Sequence, residues 1–293
     1  MSEGTSPYVF TFYRSFGGTA TMFLALSIVP DLRADPDKPF HPLNEIRIAI
    51  TDDGWKFILL GVCMTLNMGG AILALSRLSA VTCVIFQPTV PMVAAMLSVM
   101  LGVEKFSVEN VCTLLISALG AMIVVLFGSS SSPGPNHISC SGLIFLFVNV
   151  FGGASYTVMQ KYTDVLKRYS PTFVAGMAFL VASYILWIPA VCTSGLSADA
   201  WSLGDDRIAL MALCYAVLLT TAFNYSVLAW ANKNTSPSMV LGFQTLQPIA
   251  TSVLSYLLLD TLLTQGQALG GIFIIVGLLL NVLCQRSRAK KQK

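Results

Sequence analysis

The sequence predicts an all-α polytopic membrane protein built from two inverted repeats, and three observations predict it. The 293 residues are 55% hydrophobic and only 11% charged, whereas soluble domains carry about 25% charged residues. Apolar runs recur that have the roughly 20 residues a helix needs to cross a bilayer. The two halves of the chain share residues at a constant offset, and their charges predict opposite orientations.

Nine apolar segments predict nine transmembrane helices. The connection from residue 31 to 54 is rich in Pro and Asp, so we expect a loop. The run GSSSSPGPN predicts a flexible linker between the halves. We divide the chain into a first repeat (1–128) that lacks one helix, a linker (129–140), a second repeat (141–285) and a basic tail (286–293). The predicted helices cover residues 8–29, 55–75, 80–101, 108–127, 142–160, 172–192, 207–230, 238–259 and 266–284.

The positions of Lys and Arg predict the orientation. The C-terminal tail QRSRAKKQK is basic and is expected to be cytoplasmic. Tracing back through nine spans places 14 of the 17 Lys and Arg residues inside, Arg77 and Arg207 outside, and Arg14 within a span. The net charge of +3 therefore reflects an integral, multi-pass topology in a membrane that the sequence does not identify. A nucleic-acid partner is not expected.

An unusual motif occurs twice in apolar surroundings. VIFQPTVPMV (84–93) and LGFQTLQPIA (241–250) both contain Phe-Gln, three residues and then Pro, at an offset of 157. The same offset relates Asn67 to Asn224. The predicted topology makes the two copies cross the membrane in opposite directions. Inverted repeats of this kind are used by many secondary transporters.

The second repeat has one more predicted helix than the first, at residues 142–160. A complete plan would have five helices in each repeat, and this chain has four plus five. We therefore expect the first helix of the plan to be missing, through a truncated gene model or genuine shortening.

Three stretches resemble EamA-type members of the drug/metabolite transporter superfamily, and the plant-type members in particular. They are SPYVFTFYRSF, LNMGGAILALSRLSAVTCVIFQPTVPMVAAMLSVMLGVEKFS and WANKNTSPSMVLGFQTLQPIATSVLSYLLLDTLL. The resemblance implies ten helices in two inverted five-helix repeats, cytoplasmic termini and transport by alternating access. The chain departs from that pattern in its missing first helix, and it has Thr261 where the first repeat has Glu104.

Four amide side chains are predicted near the middle of the membrane, namely Asn67, Gln87, Asn224 and Gln244. Asn67 lies about 12 Å from the outer end of its helix, at about 1.5 Å per residue. An amide both donates and accepts hydrogen bonds, so it can bind a polar organic solute. The alternative is that these amides hold helices together.

Arg14, Pro91 and Pro248 complete the candidate substrate site. A cation inside a span is a functional hypothesis by default, and Arg14 could meet an anionic substrate group. Its side chain could instead extend outward to the interface. The prolines predict helix kinks that free backbone carbonyls towards a cavity. A fixed structural bend is the alternative reading of both prolines.

The sequence therefore predicts a transporter of a small organic metabolite. A sugar-phosphate or nucleotide-sugar exchanger, or a truncated scaffold without transport, are the alternatives. No His lies in a predicted span, so neither an enzyme nor a metal or other cofactor is expected. The expected partners are a small-molecule substrate and the lipid bilayer. Gly266 and Gly270 form a GxxxG pattern that predicts helix packing and leaves a homodimer open.

Overall fold

The computed structural model describes residues 7–37, 39–78, 83, 86–128, 140–195, 201, 207–250, 253 and 265–291, and this part of the chain has no β-strand. Four of its helices are long and apolar enough to cross a membrane: Pro42–Leu75, Cys140–Tyr162, Pro171–Ser194 and Ala209–Asn234. Three shorter apolar helices are Gln87–Met100, Val108–Val124 and Ala268–Cys284. The all-α membrane fold expected from the sequence is confirmed.

Most of the α-helices follow the predicted apolar segments, but the short helix at residues 165–168 was not predicted, and residues 129–139 of the predicted linker lie outside the described residues. The α-helices are α1 (Pro7–Ile28), α2 (Pro42–Leu75), α3 (Val90–Met100), α4 (Val108–Gly128), α5 (Cys140–Tyr162), α6 (Val165–Arg168), α7 (Pro171–Ser194), α8 (Arg207–Tyr215), α9 (Asn224–Asn234), α10 (Pro237–Gly242) and α11 (Gln265–Lys291). A π-helical stretch, Ala216–Phe223, joins α8 to α9 and is called the π segment below.

Specific side chains define where α1 ends and α7 begins. Arg33 donates from Nε to the Leu26 carbonyl (2.7 Å) and from Nη2 to the Ser27 carbonyl (2.6 Å). A cation there satisfies carbonyls that the last turn of α1 leaves without helical partners. α7 begins after Ser170, whose Oγ accepts a hydrogen bond from the Phe173 amide (3.3 Å). Pro171 follows it at the first position, which needs no donor.

The expectation of a loop from residue 31 to 54 is wrong for its second half. α2 begins at Pro42, and only Asp53 has non-helical angles, with φ −130° and ψ 21°. Pro at the first position and Glu45 in the first turn both favour a helix start. The loop was expected because residues 31–54 are rich in Pro and Asp, and that composition is common to loops and to helix starts.

Both copies of the repeated motif have the same local backbone. Gln87–Thr89 forms a 3₁₀ turn directly before α3. Phe243–Leu246 also forms a 3₁₀ turn, and residues 247–250 continue it as α-helix. In each copy the proline is the second residue of the α-helical part, where its missing amide hydrogen costs no helical hydrogen bond. The two copies of the motif therefore share a backbone conformation as well as a sequence pattern.

The chain forms two compact units, and each draws helices from both sequence repeats. The first unit contains Met1–Ile72 and Met159–Asn234, and the second contains Leu73–Val158 and Thr235–Lys293. Helices that the repeat relates to each other pack within one unit. α1 packs on α7 in the first unit, and α4 packs on α11 in the second.

Two close helix contacts in the first unit each involve a glycine, and the sequence repeat relates the two contacts to each other. Gly17 of α1 lies against Val217 of the π segment, where a Cβ on the glycine would be 2.9 Å from Val217 Cγ2. Gly61 of α2 lies against Val181 of α7, and a Cβ there would be 2.4 Å from Val181 Cβ. The repeat offsets of 164 and 157 relate the two contacts to within one residue. The repeat relates α1 to α7 and α2 to the π segment. The glycine is on α1 in the first contact, whereas in the second it is on α2 and not on α7.

An ionic cluster lies at the bend of α2 in the first unit. Asp53, which is 6% exposed, accepts from Arg168 (2.9 Å), Tyr169 (3.0 Å) and Lys56 (2.8 Å). Arg168 also pairs with Asp52. Burial, followed by the hydrogen bond to Asp53, raises the pKa of Tyr169 to about 12. Tyr169 therefore remains a hydrogen-bond donor to Asp53 across the physiological pH range.

Small residues allow close packing of α4 and α11 in the second unit. A Cβ on Gly120 would lie 2.7 Å from the Gly270 carbonyl, and one on Gly277 would lie 2.8 Å from the Ser117 amide nitrogen. The adjoining apolar cluster contains Ala121, Val124, Ile274 and Leu278. Gly270 of the GxxxG pattern thus faces a helix of its own chain.

Polar contacts also link the helix ends of the second unit. The Glu104 carboxylate accepts from the backbone amide (3.0 Å) and hydroxyl (2.6 Å) of Ser238 in the first turn of α10. Asn281 of α11 donates to Asn110 Oδ1 (2.7 Å) and Thr113 Oγ1 (3.0 Å) of α4. Glu104 therefore supplies a cap to a helix that lies far away in sequence.

Candidate functional site

Arg14 is held in the first unit by a contact that connects α1 to the π segment. Its Nε donates a hydrogen bond of 2.9 Å to Oγ1 of Thr221, a residue with 0% exposure. Gly18 of α1 makes the approach possible, because a Cβ there would be 2.4 Å from Thr221 Cγ2. The neighbouring Tyr13 donates to the Trp201 carbonyl (2.8 Å). Arg14 has no carboxylate partner among the residues that the structure describes.

Asn67 lies in the same unit and contacts the helix that follows the π segment. The Tyr225 hydroxyl of α9 donates to Asn67 Oδ1 over 3.4 Å, which is long for a hydrogen bond between oxygens. The Tyr225 ring packs edge-on against Phe179 of α7, with centroids 4.8 Å apart. Tyr225 is four residues after Thr221, so the two side chains lie on a similar face of the helix. One hydrogen bond thus joins α1 to the π segment and a second joins α2 to α9, about one helical turn further along the same helix.

Asn224, the repeat counterpart of Asn67, is exposed. It is the first residue of α9, and its backbone amide bonds to the Leu219 carbonyl, five residues earlier. The structure therefore places both predicted asparagines in the first unit. Asn67 is half-buried beside Tyr225, and Asn224 is exposed.

The two predicted glutamines lie in the second unit. Gln87 is exposed in its 3₁₀ turn, and its Nε2 donates to Oδ1 of Asn149 on α5 over 3.4 Å. Asn149 is only 5% exposed. Gln244 occupies the equivalent turn and is also exposed, but no residue in the described ranges is its hydrogen-bond partner. The two glutamines thus share a backbone conformation, and among the described residues Gln87 has a hydrogen-bond partner while Gln244 has none.

The two predicted prolines flank these glutamines. Pro91 is buried in the first turn of α3, and Pro248 is half-buried. Each lies where a 3₁₀ turn becomes an α-helix. This change in backbone geometry directly follows the glutamine in both copies.

Sequence reasoning missed Thr221 and Asn149. Both are uncharged residues that hydrogen-bond to a predicted residue 62 or more positions away. The sequence repeat does not draw attention to either residue. Thr221 corresponds to the apolar Met64, and Asn149 lies on α5, which has no equivalent helix in the first repeat. Nor does any cluster of three His, Cys, Asp or Glu residues in the described ranges provide a metal site.

The family model for the EamA-like transporter family matches residues 1–126 and 140–283. The chain belongs to this family. It is 28% identical over 306 residues to WAT1-related protein At3g56620 of Arabidopsis thaliana, covering 94% of this chain and 74% of that protein. It is 24% identical over 322 residues to WAT1-related protein At5g64700 of the same plant, covering 99% and 85%.

A solved structure supports the same fold. A crystal structure of a protein with 12% sequence identity matches with a TM-score of 0.67, over 97% of this chain and 90% of that one. The plant-type EamA resemblance of the sequence motifs is confirmed by the family match and the Arabidopsis relatives. This chain is a multi-pass integral membrane protein of a transporter family.

Proposed function

We propose that this protein transports a small organic solute across its membrane by alternating access. The observation that carries the proposal is that two hydrogen bonds, Arg14 to Thr221 and Tyr225 to Asn67, lie inside otherwise apolar helices of the first unit. A charged group inside a span is costly, and by default it marks a functional site such as a substrate pathway. Membership of a transporter family supports the same reading.

The proposed roles follow from the chemistry of each side chain. Asn67, Asn224, Gln87 and Gln244 offer amides that can bind hydroxyl, carbonyl or amino groups of a solute. Arg14 offers a cation to an anionic group of that solute. Pro91 and Pro248 would set the turns that carry the glutamines. We propose that Gln87 and Gln244, which both lie in the second unit, face one solute cavity.

The orientation proposal has its support in the charge distribution. In the predicted nine-span topology, 14 of the 17 Lys and Arg residues lie on the side of the basic tail, which favours a cytoplasmic C-terminus. Protease access to a C-terminal tag in sealed vesicles of known sidedness tests this. Cleavage from the cytoplasmic face is expected, and cleavage only from the opposite face contradicts the proposal.

The direct test is flux in proteoliposomes of mixed neutral and anionic phospholipid. The panel contains labelled glucose, glutamine, malate, uridine diphosphate glucose and inorganic phosphate. Wild-type protein is compared with Gln87→Ala/Gln244→Ala and with Gln265→Ala, a matched change of an exposed glutamine outside the proposed site. We expect flux of at least one solute, acceleration by the same solute on the far side, and a loss of tenfold or more only in the double variant.

Each other outcome has a meaning. Strict exchange of phosphate or the nucleotide sugar would favour the exchanger alternative. No flux of any solute would refute the transporter proposal and favour the scaffold. Unaltered flux in the double variant would remove the glutamines from the site. Mass measurement of the same reconstituted sample tests whether the chain forms a homodimer.

A further inference from the structure

We propose that Thr221 is a positioning residue that fixes which edge of the Arg14 guanidinium faces the solute. The proposal rests on the transport function proposed above and deepens it. Thr221 is assigned no role by the repeat, by the motifs or by the family match. The inference rests on the burial of Thr221 and on the hydrogen bond that its hydroxyl accepts from Arg14 of α1.

The hydrogen bond to Thr221 selects among the binding modes of the guanidinium. An arginine can present two parallel donors either side-on, from Nε and one Nη, or end-on, from both Nη atoms. Thr221 occupies Nε over 2.9 Å, so the side-on mode is closed. The end-on edge has no carboxylate partner among the described residues. A solute group with two acceptor oxygens would therefore meet Arg14 only along the axis of its side chain.

The π segment places the threonine hydroxyl at this point. Its wider winding shifts the helix register, as the bond from the Asn224 amide to the Leu219 carbonyl records. Removing one residue would turn the following α-helix by about 100°. Stretches of π-helix inside α-helices are frequent at functional sites. Gly18 leaves room for Thr221, so α1 is shaped to accept this register.

The repeat supplies an internal comparison within the first unit. The contact between α1 and the π segment has a counterpart between α7 and α2, as the glycine contacts show. In that counterpart, Arg14 corresponds to Ala178 and Thr221 to Met64, and both of these apolar residues are fully buried. The helices therefore pack at the related place without any polar pair. Packing alone does not require Arg14 and Thr221.

The test measures transport kinetics of the solute that the panel identifies. We expect Thr221→Val to raise KM about tenfold with little change in the maximal rate, and Thr221→Ser to restore the wild-type KM. Thr19→Val is the matched control, because the Thr19 hydroxyl donates to the Ser15 carbonyl of its own helix (3.1 Å) and has no other partner among the described residues. It should leave KM unchanged.

A double-mutant cycle separates positioning from general damage. Thr221→Val should have no further effect on KM in the Arg14→Gln background, because the group it positions is gone. Additive effects of the two changes would overturn the proposal. A lower maximal rate with unchanged KM in Thr221→Val would also overturn it.

A second measurement needs no transport. The ¹⁵N-labelled Nε–H signal of Arg14 is assigned by its loss in Arg14→Lys and followed in nanodiscs. We expect slow hydrogen exchange in the wild type and in Thr221→Ser, and exchange at least tenfold faster in Thr221→Val. Equal exchange rates would refute the hydrogen bond and with it the positioning role. Absent flux with intact Nε–H protection would instead refute the transport function while leaving the contact established.

Discussion

Replacing Gly120 by alanine should weaken the contact between α4 and α11. The new Cβ would lie 2.7 Å from the Gly270 carbonyl, 2.7 Å from the Ile274 amide nitrogen and 2.8 Å from Phe273 Cβ. Ordinary contact begins at 3.4 Å, and two of these atoms are backbone, so no side-chain rotation relieves the clash. The helices must therefore separate locally by about 0.7 Å.

The magnitude follows from what that separation costs. A radial gap of about 0.5–1 Å loses roughly a quarter to a half of the dispersion attraction between contacting atoms. Overpacking of this kind costs about 1–3 kcal/mol. Alanine recovers about 1 kcal/mol of helix propensity relative to glycine. We therefore expect Gly120→Ala to lower the free energy of unfolding by about 1 kcal/mol.

Thermal unfolding in nanodiscs measures the effect. At about 2.1 cal/mol/K of unfolding entropy per residue, a loss of about 1 kcal/mol corresponds to a fall in Tm of roughly 1.6 °C for 293 residues. Gly69→Ala is the matched control, since its Cβ would meet only Leu186 Cδ2 at 3.9 Å. It should be neutral or stabilising. A Tm for Gly120→Ala equal to that of Gly69→Ala would refute the close packing.

Two further substitutions test other contacts in the fold. Asp53→Asn should lower the free energy of unfolding by about 1–3 kcal/mol, because a buried charged acceptor of Arg168 is lost. Asp52→Asn is its control and should cost less than about 1 kcal/mol, as for exposed pairs. Glu104→Ala should cost about 1–2 kcal/mol by uncapping Ser238, and Glu104→Gln, which keeps an acceptor, should cost less. Equal melting temperatures within either pair would contradict the assigned contact.

The sequence predicts the elements whose signals are local. α1 begins one residue from its predicted start, and α4 matches its prediction because apolar runs and caps mark helices directly. The 3₁₀ turns and the π segment were not predicted, since a period of 3.6 residues cannot distinguish these windings. The start of α2 was missed because the Pro and Asp residues frequent in residues 31–54 also favour loops.

The candidate site was predictable only in part. Arg14 and the repeated amides stand out because polar residues are rare in apolar runs. Their partners do not, because a threonine or asparagine in a helix is ordinary until the fold brings it to an arginine or glutamine. The grouping of Arg14 with Asn67 in one unit depends on long-range packing that no local pattern reports.

The length of α2 has a consequence for how the protein meets its bilayer. Its 34 residues would extend about 51 Å at about 1.5 Å each, whereas the hydrocarbon layer is about 30 Å thick. Trp55 and Lys56 directly follow the bend at Asp53, with the ammonium 5.9 Å from the indole centroid. Such residues are typical of the headgroup region. We therefore expect residues 42–52 to extend beyond the hydrocarbon layer, and the reach of this segment from the lipid to change with bilayer thickness.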